Sequence, residues 1–242
     1  MRLQLANFDA VTFDVYGTLI DWEPSIMAFL RLWADQHGVC APDEDLLLAF
    51  DRTRAEIQKE RPAPLYPEVL RRCFDRISVD FSVAVDKREQ VEFATAPHQW
   101  PAYADSHRGL TALQARAMVG ALSNIDNASL ESSCRKLAFR FDLVVTAERV
   151  GAYKPDWPHF RTAIEDLATH GIPPERILHV GQSLRADVVP ANKLGLKCVW
   201  VNRPDRSIGR SGEGTADARP DLTVSSLDEL VAAISPGARV TG

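Results

Sequence analysis

The chain has 242 residues, 45% of them apolar and 25% charged. That is enough for one large domain or a core carrying a smaller insertion, and it excludes a disordered or fibrous protein. A formal charge of -5, with no run of Lys or Arg, argues against a nucleic-acid partner, whose phosphates demand clustered cations.

The N-terminal "MRLQLANFDAVTFDVYG" lacks the basic start and apolar block of a secretory leader. No stretch reaches the roughly 18 apolar residues of a membrane span, so a cytoplasmic protein without a membrane partner is expected. Residues 10–15, "AVTFDV", read as a buried first strand running into a Gly-containing turn. The interval 22–95 then holds helix-like segments and no convincing strand. Helices are predicted over 24–37, with Pro24 in the first turn and Ile26, Phe29, Leu30 and Trp33 on one face, over 43–60 and over 67–79. "ERPAPLYPEVL" breaks the chain between the last two.

Four more strand-like runs follow at 117–122, 142–145, 177–180 and 197–201, separated by the helical patterns "SLESSCRKLAF", "WPHFRTAIEDLATHG" and "DVVPANKLG". Strands alternating with helices imply an α/β fold: a Rossmann-like parallel sheet covered on both faces. The domain division is therefore 1–21 and 96–242 for the core, with 22–95 inserted as an α-helical cap. "RPDRSIGRSGEGTADARPD", residues 203–221, reads as a mobile surface loop without nameable chemistry, before a last strand and helix at 221–235.

The four cysteines, Cys40, Cys73, Cys134 and Cys198, form no C-x-x-C pair, so reduced core thiols are expected rather than a zinc site or disulfides. The six histidines, at 37, 98, 107, 159, 170 and 179, share no metal or triad spacing and read as structural. Trp22, Trp33, Trp100 and Trp157 read as packing residues, with Trp22 and Trp157 near enough to motifs to exclude water from a crevice.

Ligands bind an open parallel sheet beyond the carboxyl ends of its strands. The polar residues there are Asp14, Tyr16 and Thr18 after the first strand, Ser123 and Asn124 after the second, Lys154 in "VGAYKPD", and "GQSLRAD" after the fourth. In their order and spacing, "FDVYGTLIDW", "LSN", "YKPD" and "VGQSLRAD" resemble the four motifs of the haloacid dehalogenase superfamily, over nearly the whole chain. The resemblance implies a Rossmann-like core, a helical cap after the first motif and a nucleophilic aspartate, Asp14.

Two residues select the branch. The phosphatase branch has a second acid in its first motif and paired acids for magnesium in its fourth; this sequence has Tyr16 and Gln182. Without an acid at 16, nothing protonates an alkoxide leaving group, a loss of roughly 100- to 10,000-fold. Magnesium prefers carboxylate oxygens over a neutral amide, so no metal and no other cofactor is expected. Tyr16 is similar to the 2-haloacid dehalogenase branch, where the aspartate displaces halide from carbon and water then opens the ester.

On that resemblance the catalytic set is Asp14, Thr18 holding it, Lys154 keeping it ionised and also able to pair with Asp187, and Asp187 positioning or activating water. Ser123 and Asn124, with the N–H groups near Val15 and Tyr16, would bind the substrate carboxylate. Ser183 is counted beside them, and Arg52 or Arg54 would receive the halide. Ser123 and Asn124 could otherwise cap the next helix. Phe160 stands six residues after Lys154, where the dehalogenases have Tyr, and the second motif continues "SNID" rather than "SNG".

The expected substrate is a short 2-haloacid or similar small carboxylic acid, ring opening of a strained amino acid using the same parts. A magnesium-dependent phosphatase and a non-catalytic protein retaining the fold are the other readings. An apolar face left exposed on the cap would pair two copies into a homodimer.

Overall fold

The computed structural model describes residues 3–210 and 214–235. Six strands, β1 (Ala10–Phe13), β2 (Met118–Ser123), β3 (Leu143–Thr146), β4 (Ile177–Gly181), β5 (Lys197–Val201) and β6 (Leu222–Val224), form one sheet. The order is β3-β2-β1-β4-β5-β6 and every pairing is parallel. The chain leaves β1 for β2 on one side and returns to β4 on the other. The crevice between the ends of β1 and β4 is thus the switch point of the sheet, where such folds bind ligands.

Apolar residues alternate across the sheet with a period of two. Val11, Phe13, Leu178 and Val180 face one buried cluster, whereas Ala10, Ile177 and Cys198 face the other. The second cluster is covered by α8 (Pro158–Ala168) through Phe160, Ala163 and Leu167. The first is continuous with the residues that follow β1.

Those residues are helical: α1 (Glu23–Gln36), α2 (Asp43–Ile57), α3 (Tyr66–Asp80) and α4 (Lys87–Thr95). Their inner faces meet in a group of rings, with Phe29 5.0 Å from Phe93 and Phe74 5.4 Å from Phe93. Leu32, Leu48, Val79 and Val91 are exposed on the outer faces. The three helices predicted here lie within three residues of the observed bounds, and α4 was not singled out because its apolar content is slight. The core is completed by α5 (Ser106–Gln114), α6 (Asn127–Leu137), the single turn α7 (Ala147–Val150), α9 (Val189–Lys193) and α10 (Leu227–Ile234). None of the helices described is long and apolar enough to cross a membrane.

Several expectations are corrected. The first strand stops at Phe13 rather than residue 15, because Val15 already turns back to accept from the N–H groups of Leu19 and Ile20. "DVVPANKLG" does not form one regular helix. Leu184–Val188 makes a wide π-type turn in which the Val188 N–H reaches Ser183 O, and a short α turn follows from Val189. Only Cys73 and Cys198 are buried thiols; Cys40 is exposed and Cys134 half-buried.

The segment 203–221 is not a loop without consequence. Arg203 is buried and forms a two-pronged ion pair with Asp105 at 2.7 and 2.9 Å, and Arg206 pairs with Asp21. Glu23 accepts from the N–H groups of Ser207 and Ile208. These ties fold 203–210 back over the crevice; residues 211–213 lie outside the described residues.

Candidate active site

Asp14 follows β1 directly, and its N–H still bonds Val180 O of β4, so the backbone of two strands fixes the carboxylate. One oxygen accepts from Thr18 Oγ1 at 2.8 Å and the other from Lys154 Nζ at 2.9 Å. Lys154, from the loop between α7 and α8, is fully buried. Its ammonium spends its other two protons on Leu122 O at 2.7 Å and Asp187 Oδ1 at 2.7 Å. Asp187 in turn accepts the Ser183 N–H at 3.0 Å on Oδ2. The carboxylate of Asp187 packs flat over Gly181, where a Cβ would come within 2.4 Å of its Cγ.

The electrostatics divide the two acids. Burial, opposed by the Lys154 ammonium and helped by the negative Asp187, raises Asp14 to about 6. Burial acts on Asp187 too, but Lys154 and His179 outweigh it and hold that carboxyl at about 2. Lys154 itself is raised despite its burial, because it lies between two carboxylates. The result is one ammonium shared by a firmly ionised acid and a softer one.

His179, a residue the motif reading passed over as structural, completes the far side. Its Nδ1 is 3.0 Å from Thr12 Oγ1, its partner in the β1/β4 register, and its Nε2 is 3.4 Å from Asp187 Oδ1. Burial lowers its pKa, so the ring is neutral and the ionised Asp187 assigns the proton to Nε2. Phe160, at the position where the dehalogenases have Tyr, packs edge-on against this imidazole at 4.9 Å, away from the crevice. The signal was available: Thr12 and His179 are polar residues at matched positions of two buried strands.

Above the acids is a cavity of about 280 Å³ that brings together Asp14, Tyr16, Ser123, Asn124, Lys154 and Ser183 with Arg52 and Arg54 from α2. Thr18, Val15 and Asp187 lie beneath this surface, fully buried. Ser123 Oγ, also buried, has no hydrogen-bond partner among the described residues. Helix α6 is capped by Asp126, which accepts from Ser129 N, so Ser123 and Asn124 are not its caps. Both ends of the Asn124 amide are occupied by the Lys154 backbone, at 2.6 and 3.0 Å. Its backbone N–H and the second Nδ2 proton are what is left for a ligand. Ser183 Oγ accepts from Ala186 N, which leaves its own O–H to donate.

The two arginines differ. Arg52 is 66% exposed in its side chain and pairs with Asp80 on the outer surface. Arg54 pairs with Asp51 while its guanidinium lies 5.7 Å from the Trp22 ring and 5.8 Å from that of Phe50, and its Nε is buried without a partner. Trp22, Phe50 and Tyr66 supply the aromatic wall. Tyr16 packs on Tyr66 and Trp100, and burial raises its phenol far above the ordinary range. Trp157, by contrast, is 38% exposed and stacks on Arg161, away from the cavity.

Gln182 stands where a magnesium-binding acid would be. Its amide is wedged between Gly17 and Gly209, both at positive φ, where added Cβ atoms would meet it at 2.9 and 2.4 Å. Its Nε2 donates to Ile208 O, which latches the 203–210 segment onto the cavity wall. With a donor amide here, a phenol at 16 and the Lys154 ammonium between the two carboxylates, the residues do not fit a divalent cation. Among the described residues no cluster of three His, Cys, Asp or Glu side chains could hold a metal.

Residues 8–195 match the family of haloacid dehalogenase-like hydrolases. The (S)-2-haloacid dehalogenase of Pseudomonas putida is 23% identical over 239 residues, covering 93% of this chain and 96% of that protein. The pyrimidine 5'-nucleotidase of Escherichia coli is 34% identical, but over 50% of this chain and only about half of its own length, 51%. Among solved structures, the L-2-haloacid dehalogenase of Xanthobacter autotrophicus superimposes with a TM-score of 0.75 at 21% identity, covering 92% and 96% of the two chains. With the family match extending over most of its length, the chain belongs to the haloacid dehalogenase-like hydrolases.

Proposed function

We propose that this hydrolase displaces halide from a short 2-haloacid without a metal, through an aspartyl ester on Asp14, and releases the 2-hydroxy acid. The observation that carries the reading is the Lys154 ammonium bonded to both Asp14 and Asp187, in a crevice with Tyr16 and Gln182 in place of acids. A halide leaves with its bonding electron pair and needs no proton. The site therefore needs an ionised nucleophile more than a general acid.

In this mechanism residues 22–95 act as a cap over the core. Ser123 Oγ and the N–H groups of Asn124 and Tyr16 hold the substrate carboxylate, Val15 lying beneath the cavity surface. The Asp14 oxygen attacks C2 as the carbon–halogen bond breaks, and Arg54 receives the halide against the aromatic wall. Water then attacks the ester carbonyl, Asp187 holding Lys154 beside it; one proton of that water passes to the alkoxide oxygen of the 2-hydroxy acid as the acyl–oxygen bond breaks, and Asp14, left as the carboxylic acid, gives up its proton to solvent. Lys154 stabilises Asp14 as an anion before attack and stays paired with Asp187 while the ester stands.

The test is halide release from chloroacetate and both 2-chloropropionate enantiomers, with and without EDTA, for wild type and Asp14→Asn. Release that ignores EDTA and falls by about 10,000-fold or more in the variant is expected, since the nucleophile is lost. Magnesium-dependent hydrolysis of a phosphate ester, with no halide released, would overturn the reading in favour of a phosphatase. That outcome is the one to which the Escherichia coli relative points.

A further inference from the structure

The catalytic cavity does not end above Asp14. It opens past Gln58 into a second groove of about 180 Å³ between the end of α2 and the core. The two share Ala55, Gln58, Lys59, Lys154 and Arg185. Gln58 stands at the junction. It is only 8% exposed, yet among the described residues its buried amide Nε2 has no hydrogen-bond partner, a condition that costs stability unless a ligand supplies the acceptor.

The charges around this groove are unequal. Its acid, Asp156, is engaged by Arg61, and the cavity's Asp51 is engaged by Arg54. Lys59 and Arg185 have no acidic partner among the described residues. A buried donor and two uncompensated cations, separated from the floor that grips the first carboxylate, call for a second negative charge on the same molecule.

We propose that this groove is a second anion subsite, and that the substrate is a halogenated dicarboxylic acid whose distal carboxylate accepts the Gln58 amide N–H between Lys59 and Arg185. The proposal rests on the dehalogenation reading for the reacting end only. Arg54 remains the halide acceptor, and the bonds made and broken are those already given.

Two measurements separate the subsite from the chemistry. The first compares kcat/KM for 2-chlorosuccinate and 2-chloroglutarate with that for 2-chlorobutanoate and 2-chloropentanoate, in wild type, Gln58→Leu and Arg185→Gln. A preference for the dicarboxylates of about 10-fold or more is expected, the worth of one hydrogen bond to a charged group. It should reside in KM and shrink towards unity in both variants. Equal efficiency for the two series, or variants that slow both series alike, would overturn the proposal.

The second is calorimetric binding of halogen-free glutarate against pentanoate. Tighter binding of glutarate, lost in Gln58→Leu, supports the subsite even if no halide is released from any acid, in which case only the dehalogenation reading fails. Equal binding of both overturns the subsite whatever the chemistry.

Discussion

The floor and the roof of the cavity are built on opposite rules. On the floor nearly every polar atom has its partner: Lys154 uses all three ammonium protons, Asp14 and Asp187 accept on both oxygens, and Asn124 is taken up by the Lys154 backbone. On the roof, buried donors at Arg54 Nε and Gln58 Nε2 have none. A satisfied network in a low dielectric holds its geometry before substrate arrives. An unsatisfied wall gains its bonds only from a ligand. The cavity thus joins a floor whose bonds are already made to a roof whose bonds are still to be made.

The sharpest way to break this contrast is to remove the cation from the floor. Lys154→Met leaves two buried carboxylates facing each other, a loss of about 3–5 kcal/mol for an uncompensated buried charge. That lowers the melting temperature of a chain this size by roughly 10 °C, and a second change, Asp187→Asn, is expected to recover much of it. A single variant that melts like wild type would mean the ammonium is not part of a tight network.

The roof is expected to respond in activity rather than stability. Arg54→Met should reduce kcat by about 100-fold, the scale of one lost donor to a developing anion. Arg52→Met, which removes only an exposed ion pair, should change it by no more than about 3-fold. Stopped-flow halide release would rank them, and the opposite order would exchange their roles.

The smallest effect sharpens the floor itself. Asp14 is a nucleophile only when ionised, and burial has raised it to about 6. The rate kcat/KM should therefore be full above that pH and fall as pH drops through it, whereas an ordinary exposed aspartate would keep its rate down to about 4. A profile flat to pH 5 would show that Lys154 outweighs desolvation.

Much of the floor was legible in the chain. Short β-branched runs, each followed by a polar residue, located the strand ends, and their order carried Asp14, Ser123, Lys154 and Asp187 to one crevice. The roof was not. Its helices could be found from apolar spacing, but which side of α2 faces the cavity depends on packing against Trp22 and Phe50, so Arg52 and Arg54 stayed equivalent. Gln58, beyond the last turn of α2, gave no signal at all. His179 was hidden for another reason, since a histidine in an apolar strand looks the same whether it meets a carboxylate or a carbon wall.

By itself the sequence determined the family, the parallel sheet and the place of Asp14 at the end of the first strand, because strand alternation and motif order are local properties of the chain. Only the tertiary structure decided that Lys154 spends its third proton on Leu122 O, that Gln182 latches residues 203–210 over the site, and that Gln58 is left with an empty hand. These depend on contacts between segments up to 185 residues apart, as in the Glu23–Ile208 bond. The distances that set charge and hydrogen bonding there come from packing, which no periodicity encodes.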